Sequence, residues 1–271
     1  MKAQSGKTVI VTGASMGLGR ATAEALAGAG FTVFGTSRRT SNDPPKQVTM
    51  LTCDVTDDES VQSLVSTVLE RTGRIDILVN NAGLGLIAGA EESSISQVRS
   101  LFDVNVFGVV RLTNAVLPSM RKNGGGRIIN ISSVLGLMPA PFSAFYSATK
   151  HAVEGYSESL DHEVRAFNIR VSLIEPAQTR SVFEQNALEP DAALPEYDKI
   201  RADAREFLKE QLAAAEPAQV VADAVLLAAT DATPRRRYAA GKVARRASML
   251  RKLVPANIFD KALRKEMRLP A

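Results

Sequence analysis

Short apolar runs rich in β-branched residues alternate with longer segments of helical periodicity along most of the chain. The first run, Thr8 to Thr12, is followed by a glycine-rich turn and an alanine-rich helical stretch at residues 20–27. Strands alternating with helices predict a single α/β domain, with a doubly wound parallel sheet and helices on both of its faces. Further strands are predicted at residues 31–36, 48–53, 75–79, 127–131 and 170–174, and helices at 61–69, 97–121 and 147–166.

The alternation breaks between Val182 and Ala215, where Pro190 and Pro195 stand among charged and scattered apolar residues. Insertions of this length inside a domain usually serve a function or are disordered. We predict that residues 182–215 form a helical lid over a ligand, within a dinucleotide-binding and catalytic domain at residues 1–241. The alternative is one more packed helix pair.

The C-terminal residues 242–271 have apolar positions at helical spacing on either side of Pro255, which predicts a basic extension of two amphipathic helices. From Arg235 to Arg268 the chain has twelve Lys and Arg against Asp260 and Glu266, a local net charge of +10 in a chain of +4. The extension either packs on the parent domain with its charges in solvent or makes peripheral contact with a membrane. No nucleic-acid-binding motif accompanies it, and we expect no nucleic-acid partner.

Length and composition place few further limits on function. The 271 residues are 45% apolar, which fits one large domain. Cys53 is the single cysteine, expected to be a small buried residue at a strand end. The first apolar run is too short for a signal peptide or a membrane span, so we expect a soluble, cytoplasmic protein. His151 and His162 lack other ligands at suitable spacing, so no metal site is expected.

The glycine-rich turn from Thr12 to Gly19 has the spacing G-x-x-x-G-x-G and joins the first strand to the first helix. Glycines let the backbone turn sharply and approach a ligand, and the N–H groups and dipole at a helix start attract a pyrophosphate. The turn is therefore a candidate dinucleotide site. Its predicted cofactor contacts are Gly13, Ser15, Met16, Gly17, Leu18 and Gly19.

The end of the second strand indicates which dinucleotide is bound. An NAD-specific protein usually has a carboxylate there for the ribose hydroxyls, whereas this chain has Ser37, Arg38 and Arg39. A carboxylate would repel the 2′-phosphate of NADP(H), and hydroxyl and guanidinium groups would bind it. NADP(H) is the predicted cofactor; two ordinary surface arginines are the alternative.

Tyr146 and Lys150 stand at positions i and i+4, which places both on one face of a helix. A phenol with an ordinary pKa of about 10 transfers protons poorly at neutral pH. A nearby ammonium group favours the phenolate and makes Tyr146 a candidate general acid and base. Ser133, at the end of a predicted strand, can hold the substrate oxygen with its hydroxyl.

Taken together, the glycine turn, residues Asn80 to Gly83, Asn105, Ser133, and Tyr146 with Lys150 resemble the short-chain dehydrogenase/reductase family over residues 5–182. The resemblance implies a Rossmann-type fold. It also implies that Tyr146 is the general acid and base, that Lys150 binds the nicotinamide ribose and tunes Tyr146, and that Ser133 orients the substrate carbonyl. Asn105 would hold a water that links Lys150 to solvent.

The resemblance further implies cofactor contacts at the ends of later strands. Ser133 is preferred to Ser132 by its interval to the tyrosine. Pro176-Ala177 replaces the family's Pro-Gly pair, and Ser181 replaces its usual threonine, which leaves the carboxamide contacts least defined. The additional predicted contacts are Asp54, Val55, Asn81, Ala82, Gly83, Tyr146, Lys150, Pro176, Ala177, Thr179 and Ser181.

These residues predict an NADP(H)-dependent oxidoreductase that interconverts a ketone or aldehyde and the corresponding alcohol. The apolar segments that should border the site favour a steroid-like, retinoid-like or fatty substrate; core or oligomer packing is the alternative role for these residues. A second hypothesis is an NADP(H)-binding sensor or scaffold without turnover. The resemblance also implies a homo-oligomer formed through the helices at residues 97–121 and 147–166. The apolar residues considered are Leu84, Leu86, Leu137, Met138, Phe142 and Phe145.

Overall fold

The strands of the central sheet are all parallel and run in the order β3-β2-β1-β4-β5-β6-β9. They belong to a computed structural model that describes residues 6–39, 42–181, 183 and 186–266. A separate two-stranded sheet joins β7 to β8. The strands are β1 (Thr8–Val11), β2 (Thr32–Ser37), β3 (Val48–Thr52), β4 (Ile77–Asn80), β5 (Gly126–Ile131), β6 (Ile169–Pro176), β7 (Thr179–Arg180), β8 (Glu216–Pro217) and β9 (Arg237–Ala240).

Helices cover both faces of the sheet, as the strand and helix alternation predicts. One apolar core lies between the sheet and α1 with α7, and a second lies between the sheet and α2, α4 and α5. The helices are α1 (Gly17–Gly28), α2 (Asp58–Thr72), α3 (Ile95–Phe102), α4 (Gly108–Lys122), α5 (Ala144–Val164), α6 (Asp198–Ala213), α7 (Gln219–Thr230), α8 (Gly241–Leu253) and α9 (Ala256–Glu266).

The order of the strands determines where a ligand can bind. Connections from β1 lead outward through β2 to β3, and the chain then returns to place β4 on the other side of β1. The carboxyl ends of β1 and β4 therefore border the point where the winding reverses, which is where α/β folds bind ligands. Val11 of β1 pairs with Val79 of β4, so the glycine turn and the Asn81 turn begin side by side.

The six strands predicted from the sequence are present, and Cys53 is buried directly after β3 as expected. The seventh central strand, β9, was missed. It has only four residues, and arginine at its start hides the alternation in which Tyr238 and Ala240 are buried. β9 is a strand because it pairs with β6 at the edge of the sheet, and its local sequence pattern does not predict this.

The helical region Ile95–Lys122 is long and apolar enough to cross a membrane by length and composition alone. Several of its apolar side chains are used inside the protein, since Leu101, Leu112, Val116 and Met120 are fully buried. The region therefore contributes to the apolar core. A π-type turn at Asp103–Phe107 separates α3 from α4.

The predicted lid segment is helical and is attached to the residues that follow β4. Its helix α6 begins after the turn Pro195–Tyr197, and Leu188 forms a bridge with Leu86. The buried Glu92 carboxylate pairs with Arg201 of α6 and accepts a hydrogen bond from the Leu194 N–H at 3.0 Å. Val182, Glu184 and Gln185 lie outside the described residues.

The C-terminal extension forms the two predicted helices, α8 and α9, on either side of Pro255. Ala244 and Ser248 of α8 are buried against the parent domain, so the helix packs on it. Residues 267–271, which include the predicted apolar position at Met267, lie outside the described part of the chain.

Candidate active site

The glycine turn after β1 has a backbone that only glycine adopts easily. Gly13 and Gly17 have φ values of +65° and +55°, in the left-handed region. A Cβ at Gly19 would lie 2.1 Å from the Gly13 carbonyl oxygen and 2.4 Å from Nδ2 of Asn81. The turn therefore has no room for a side chain at Gly19, and its backbone would be strained by one at Gly13 or Gly17.

Thr12 and Asn81 hold the glycine turn against the turn that follows β4. The Thr12 hydroxyl accepts hydrogen bonds from the N–H groups of Asn81 and Ala82, each at 2.9 Å. Asn81 Nδ2 donates to the carbonyls of Thr12 and Gly13 at 2.8 and 3.2 Å. Asn81 and Ala82, predicted as cofactor contacts, therefore also support the predicted phosphate-binding turn.

The start of α1 suits a phosphate group. Its N-cap residue Met16 makes no side-chain capping bond among the described residues, and the first turn of α1 has no acidic residue. Backbone N–H groups at such an end, with the helix dipole, favour an anion. Ser15 and Leu18 belong to the same turn, and Met16 is 54% exposed. The residues present therefore fit a dinucleotide pyrophosphate.

The predicted adenosine side of the site lies at the ends of β2 and β3. Arg38 and Arg39 are exposed directly after β2, and the Ser37 hydroxyl donates to the Arg39 carbonyl. Hydrogen bonds from Thr56, with the charge of Arg38, hold the pKa of Asp54 below its usual range. Val55 is buried beneath this edge. Two guanidinium groups therefore lie in solvent where the 2′-phosphate is predicted.

Lys150 is buried behind Tyr146 on α5. Its Nζ lies 5.6 Å from the centroid of the Tyr146 ring and donates to the Ile131 carbonyl at 2.9 Å. Burial lowers the pKa of Lys150 to about 8, against the opposing influence of the Glu154 carboxylate. The structure thus brings together the tyrosine and lysine that the sequence pairs, at the end of β5.

Ser133 stands two residues beyond the carbonyl that Lys150 contacts. Its hydroxyl oxygen accepts a hydrogen bond from the Leu135 N–H at 3.1 Å and begins the short helical turn Val134–Gly136. The hydroxyl proton remains able to donate to a substrate oxygen. The neighbouring Ser132 hydroxyl is buried beside Glu154, and Ser133 as the catalytic serine stays a prediction.

Asn105 lies in the π-type turn between α3 and α4, a feature frequent at functional sites. Its Oδ1 accepts from the Leu84 N–H at 2.8 Å, and its Nδ2 donates to the Leu84 carbonyl and to Thr149 at 2.9 and 3.2 Å. A Cβ at Gly83 would lie 3.3 Å from Asn105 Oδ1. The side chain therefore joins the loop after β4 to α5, and its predicted water relay stays a prediction.

The predicted nicotinamide side is formed by the end of β6 and the residues after it. Pro176 ends β6, Ala177 is half-buried, and Thr179 is buried in β7. A Cβ at Gly17 would lie 3.6 Å from the Ser181 Cβ, so this segment approaches the glycine turn. Ser181 therefore lies beside the glycine turn, and the cofactor contacts of Pro176, Ala177, Thr179 and Ser181 stay predictions.

Four of the six apolar residues considered for substrate binding fall into two groups by their contacts. Leu84, Leu86 and Phe145 pack with Leu101 in a small core cluster, so packing accounts for them at least in part. Phe142 contacts Tyr197 of the lid segment edge to face, with ring centroids 6.2 Å apart. Phe183 of the lid segment lies 5.8 Å from the Tyr146 ring, between centroids. One aromatic side chain of the lid segment, Phe183, therefore lies beside Tyr146.

Sequence reasoning missed a group of charged residues behind Lys150. Glu154 stands one turn after Lys150 on α5, and it is buried with Glu175 of β6. Arg237 of β9 pairs with Glu154 at 2.6 Å and with Glu175 at 3.1 Å. The i+4 spacing of Lys150 and Glu154 was the only available signal, because the other partners come from distant strands.

Comparisons with known proteins show the family to which this chain is similar. The short chain dehydrogenase family model matches residues 7–192. A 3-ketodihydrosphingosine reductase from Bacteroides thetaiotaomicron is 46% identical over 178 residues, which are 66% of each chain. Retinol dehydrogenase 8 from Bos taurus is 37% identical over 200 residues, 69% of this chain and 64% of that protein. The chain thus spans just under two thirds of the length of these two relatives.

Solved structures match more of the chain. A short-chain dehydrogenase from Streptomyces avermitilis has a TM-score of 0.80 and 36% identity, over 96% of this chain and 98% of that one. A short-chain dehydrogenase/reductase from Burkholderia phymatum, solved with NAD, has a TM-score of 0.75 and 28% identity, over 88% and 90%. A metagenomic short-chain oxidoreductase, solved with NADP, has a TM-score of 0.68 and 26% identity, over 88% and 97%.

Proposed function

The chain belongs to the short-chain dehydrogenase family of oxidoreductases, and we propose that it uses NADP(H) to interconvert an apolar ketone or aldehyde and the corresponding alcohol. The observation that carries the proposal is the buried Lys150 ammonium 5.6 Å from the Tyr146 ring, beside the strand end that bears Ser133. A nicotinamide dinucleotide, when bound, supplies the hydride donor or acceptor.

In the direction of reduction, the Tyr146 hydroxyl gives its proton to the carbonyl oxygen of the substrate. The Ser133 hydroxyl donates a hydrogen bond to the same oxygen and holds it as negative charge develops there. The positive charge of Lys150 then favours the phenolate left on Tyr146. In the direction of alcohol oxidation, the same phenolate accepts the proton.

The preference for NADP(H) over NAD(H) rests on the exposed guanidinium groups of Arg38 and Arg39 at the end of β2. Arginine binds phosphate by paired, charge-assisted hydrogen bonds. Replacing both residues by alanine should weaken NADPH binding at least about tenfold, the loss of one such interaction, and leave NADH binding unchanged. If a fluorescence titration showed that NADPH and NADH binding were weakened equally, the preference for NADP(H) would be contradicted.

An apolar substrate is supported by the aromatic side chain of Phe183, whose ring centroid lies 5.8 Å from that of Tyr146. Two relatives are named as a 3-ketodihydrosphingosine reductase and a retinol dehydrogenase. We also propose a cytoplasmic homo-oligomer, formed through the helical region Ile95–Lys122 and α5. Ile95 and Phe107 of that region are 65% and 53% exposed, which makes them available for such a contact.

The deciding experiment measures NADPH oxidation against a panel of apolar ketones and aldehydes, with Tyr146→Phe and Tyr156→Phe compared. Tyr156 lies on the same helix but packs in the core, so it controls for loss of a hydroxyl. Tyr146→Phe should lower kcat by about 100-fold or more while NADPH still binds. Equal turnover by the two variants would contradict the mechanism, and NADPH binding without turnover on any substrate would favour the sensor hypothesis.

A further inference from the structure

The solvent-facing side of α8 carries large apolar side chains among basic ones. Val243, Met249, Leu250 and Leu253 are 51%, 56%, 40% and 75% exposed. Large apolar side chains left in water are ordinary when scattered, but a group of them on one helix indicates an interaction site. The basic residues Lys242, Arg245 and Arg246 of the same helix are also exposed.

The exposed residues share one face of α8. Lys242, Arg246, Met249 and Leu253 are spaced by four, three and four residues, which aligns them along the helix. Val243 and Leu250 directly follow Lys242 and Met249 in the sequence and lie beside them on the same face of the helix. The opposite face is fixed to the protein through the buried Ala244 and Ser248. The orientation of this apolar and basic face is therefore set by packing.

The next helix, α9, also exposes apolar and basic side chains. In α9, Ile258 is 55% exposed, and Lys261 and Lys265 are exposed as well. Residues 242–266 contain eight Lys and Arg against Asp260 and Glu266, a net charge of +6. We name the exposed face of these helices the tail surface, formed by Lys242, Val243, Arg245, Arg246, Met249, Leu250, Leu253, Ile258 and Lys261.

We propose that the tail surface binds an anionic lipid membrane. Basic side chains attract anionic headgroups, and exposed apolar side chains beside them enter the interfacial region. A second copy of the chain is a poor occupant of this surface in a symmetric contact, because the same positively charged face of each copy would meet the other. A nucleic acid would satisfy the charges but would leave Leu253 and Met249 in contact with phosphates and water.

Helix α8, which carries most of the tail surface, is connected to the residues around the candidate active site. Arg251 Nε donates to the Leu137 carbonyl at 3.1 Å, and Leu137 directly follows the helical turn that Ser133 begins. The Glu216 carboxylate accepts from the N–H of Lys242 at 3.1 Å, which secures the start of α8. If the proposed function holds, an apolar carbonyl dissolved in the membrane would lie near the site that reduces it.

The test is flotation of the full-length protein with vesicles of phosphatidylcholine alone or mixed with phosphatidylglycerol. We expect binding to the anionic vesicles only, weakened by salt. Arg245→Gln/Arg246→Gln should reduce the affinity about fivefold for each charge removed. Leu250→Gln/Leu253→Gln should reduce it at least about tenfold. Matched controls are Lys122→Gln on α4 and Leu227→Gln on α7, both exposed, which should bind like the wild type.

Binding that is absent at low salt, or that the control variants lose equally, would overturn the proposal. A change of oligomeric state in Leu250→Gln/Leu253→Gln, seen by light scattering, would also overturn it in favour of a second copy. Vesicle binding needs no turnover, so its failure is separate from failure of the proposed function. Turnover of a water-soluble carbonyl compound should be unchanged in Leu250→Gln/Leu253→Gln.

Discussion

Glu154 and Arg237 form a doubly hydrogen-bonded ion pair directly behind Lys150. The Glu154 Oε2 accepts from Nε and Nη2 of Arg237 at 3.1 and 2.6 Å, joining α5 to β9. Burial raises the pKa of Glu154, and the Ser132 hydroxyl and Arg237 oppose that rise. The pair therefore places a negative charge one helical turn from the buried ammonium of Lys150.

This arrangement makes Glu154 a positioning residue whose charge helps keep Lys150 protonated. Burial lowers the pKa of Lys150 to about 8, and Glu154 acts in the opposite direction. In Glu154→Gln the opposing charge is lost, so Lys150 should release its proton at a lower pH than in the wild type. The alkaline fall of kcat/KM for carbonyl reduction should move to lower pH.

Glu158→Gln is the matched control for this pH profile. Glu158 also pairs with Arg237, at 3.3 Å, but its side chain is 41% exposed and it is not among the groups that act on Lys150. In Glu158→Gln the alkaline fall of kcat/KM should occur at the same pH as in the wild type. If the alkaline fall of kcat/KM stayed at the wild-type pH in Glu154→Gln, or moved equally in both variants, Glu154 would have a purely structural role.

The buried Lys150 should also make stability depend on pH. Its pKa is about 8 when folded and 10.5 when unfolded, so the unfolded chain binds more protons between these values and stability rises with pH. Relative to Lys150→Met, the wild-type free energy of unfolding should increase by about 1 kcal/mol from about pH 7 to about pH 9. Urea denaturation at several pH values measures this difference.

Lys122→Met is the reference variant for these urea denaturation measurements, because the Lys122 side chain is exposed and its ammonium group is already in water. Its difference from the wild type should stay constant over the same pH range. A constant difference for Lys150→Met as well would mean that Lys150 titrates normally in the folded protein.

The buried pair of Glu92 and Arg201 should hold the lid segment on the domain. Arg201→Met leaves a buried carboxylate without its cation, although the N–H groups of Gly89 and Leu194 still donate to it. We expect a loss of about 3 kcal/mol in the free energy of unfolding and a higher KM for apolar substrates, with unchanged NADPH affinity.

Arg205→Met tests whether that loss depends on burial. Arg205 lies on the same helix and pairs with Glu189, but both side chains are largely exposed, so its loss should cost about 0.5 kcal/mol or less. Glu92→Gln/Arg201→Met should recover part of the stability that Arg201→Met loses. Equal stability of the two single variants in urea titrations would contradict the anchoring role.

How much of this protein the sequence predicts depends on how far apart the interacting residues lie. The β-branched run of β1, the glycines after it and the Tyr146 and Lys150 pair are local patterns. The structure places the glycines at the end of β1 and Lys150 at the end of β5, on either side of β4. Parallel strand topology accounts for this success, because it places every βα turn at one edge of the sheet.

Residues that depend on distant partners were not predictable in the same way. Arg201 meets Glu92 across 109 positions, and Arg237 meets Glu154 across 83. Each arginine is an ordinary charged residue in its own segment, and only the folded chain shows that its partner is a buried carboxylate. The strand β9 was missed for the same reason, since pairing with β6 rather than local pattern defines it.

Gly19 should be essential for the turn that receives the dinucleotide. A Cβ there would overlap the Gly13 carbonyl oxygen at 2.1 Å and Nδ2 of Asn81 at 2.4 Å, and the first of these is backbone that has little room to move. Gly19→Ala should therefore displace the glycine turn and the Asn81 turn together. We expect at least about tenfold weaker NADPH binding and a loss of 1–3 kcal/mol, roughly the cost of forcing atoms into a packed site.

Gly28→Ala, at the other end of α1, separates this steric effect from the general effect of adding a methyl group to the helix. A Cβ at Gly28 would meet no atom within 4 Å, and alanine favours the helix over glycine. This variant should bind NADPH normally and be equally stable or more stable by up to about 1 kcal/mol. Normal NADPH binding by Gly19→Ala in an isothermal titration would show that the turn tolerates the added methyl, and the turn would lose its assigned role as a close-packed phosphate site.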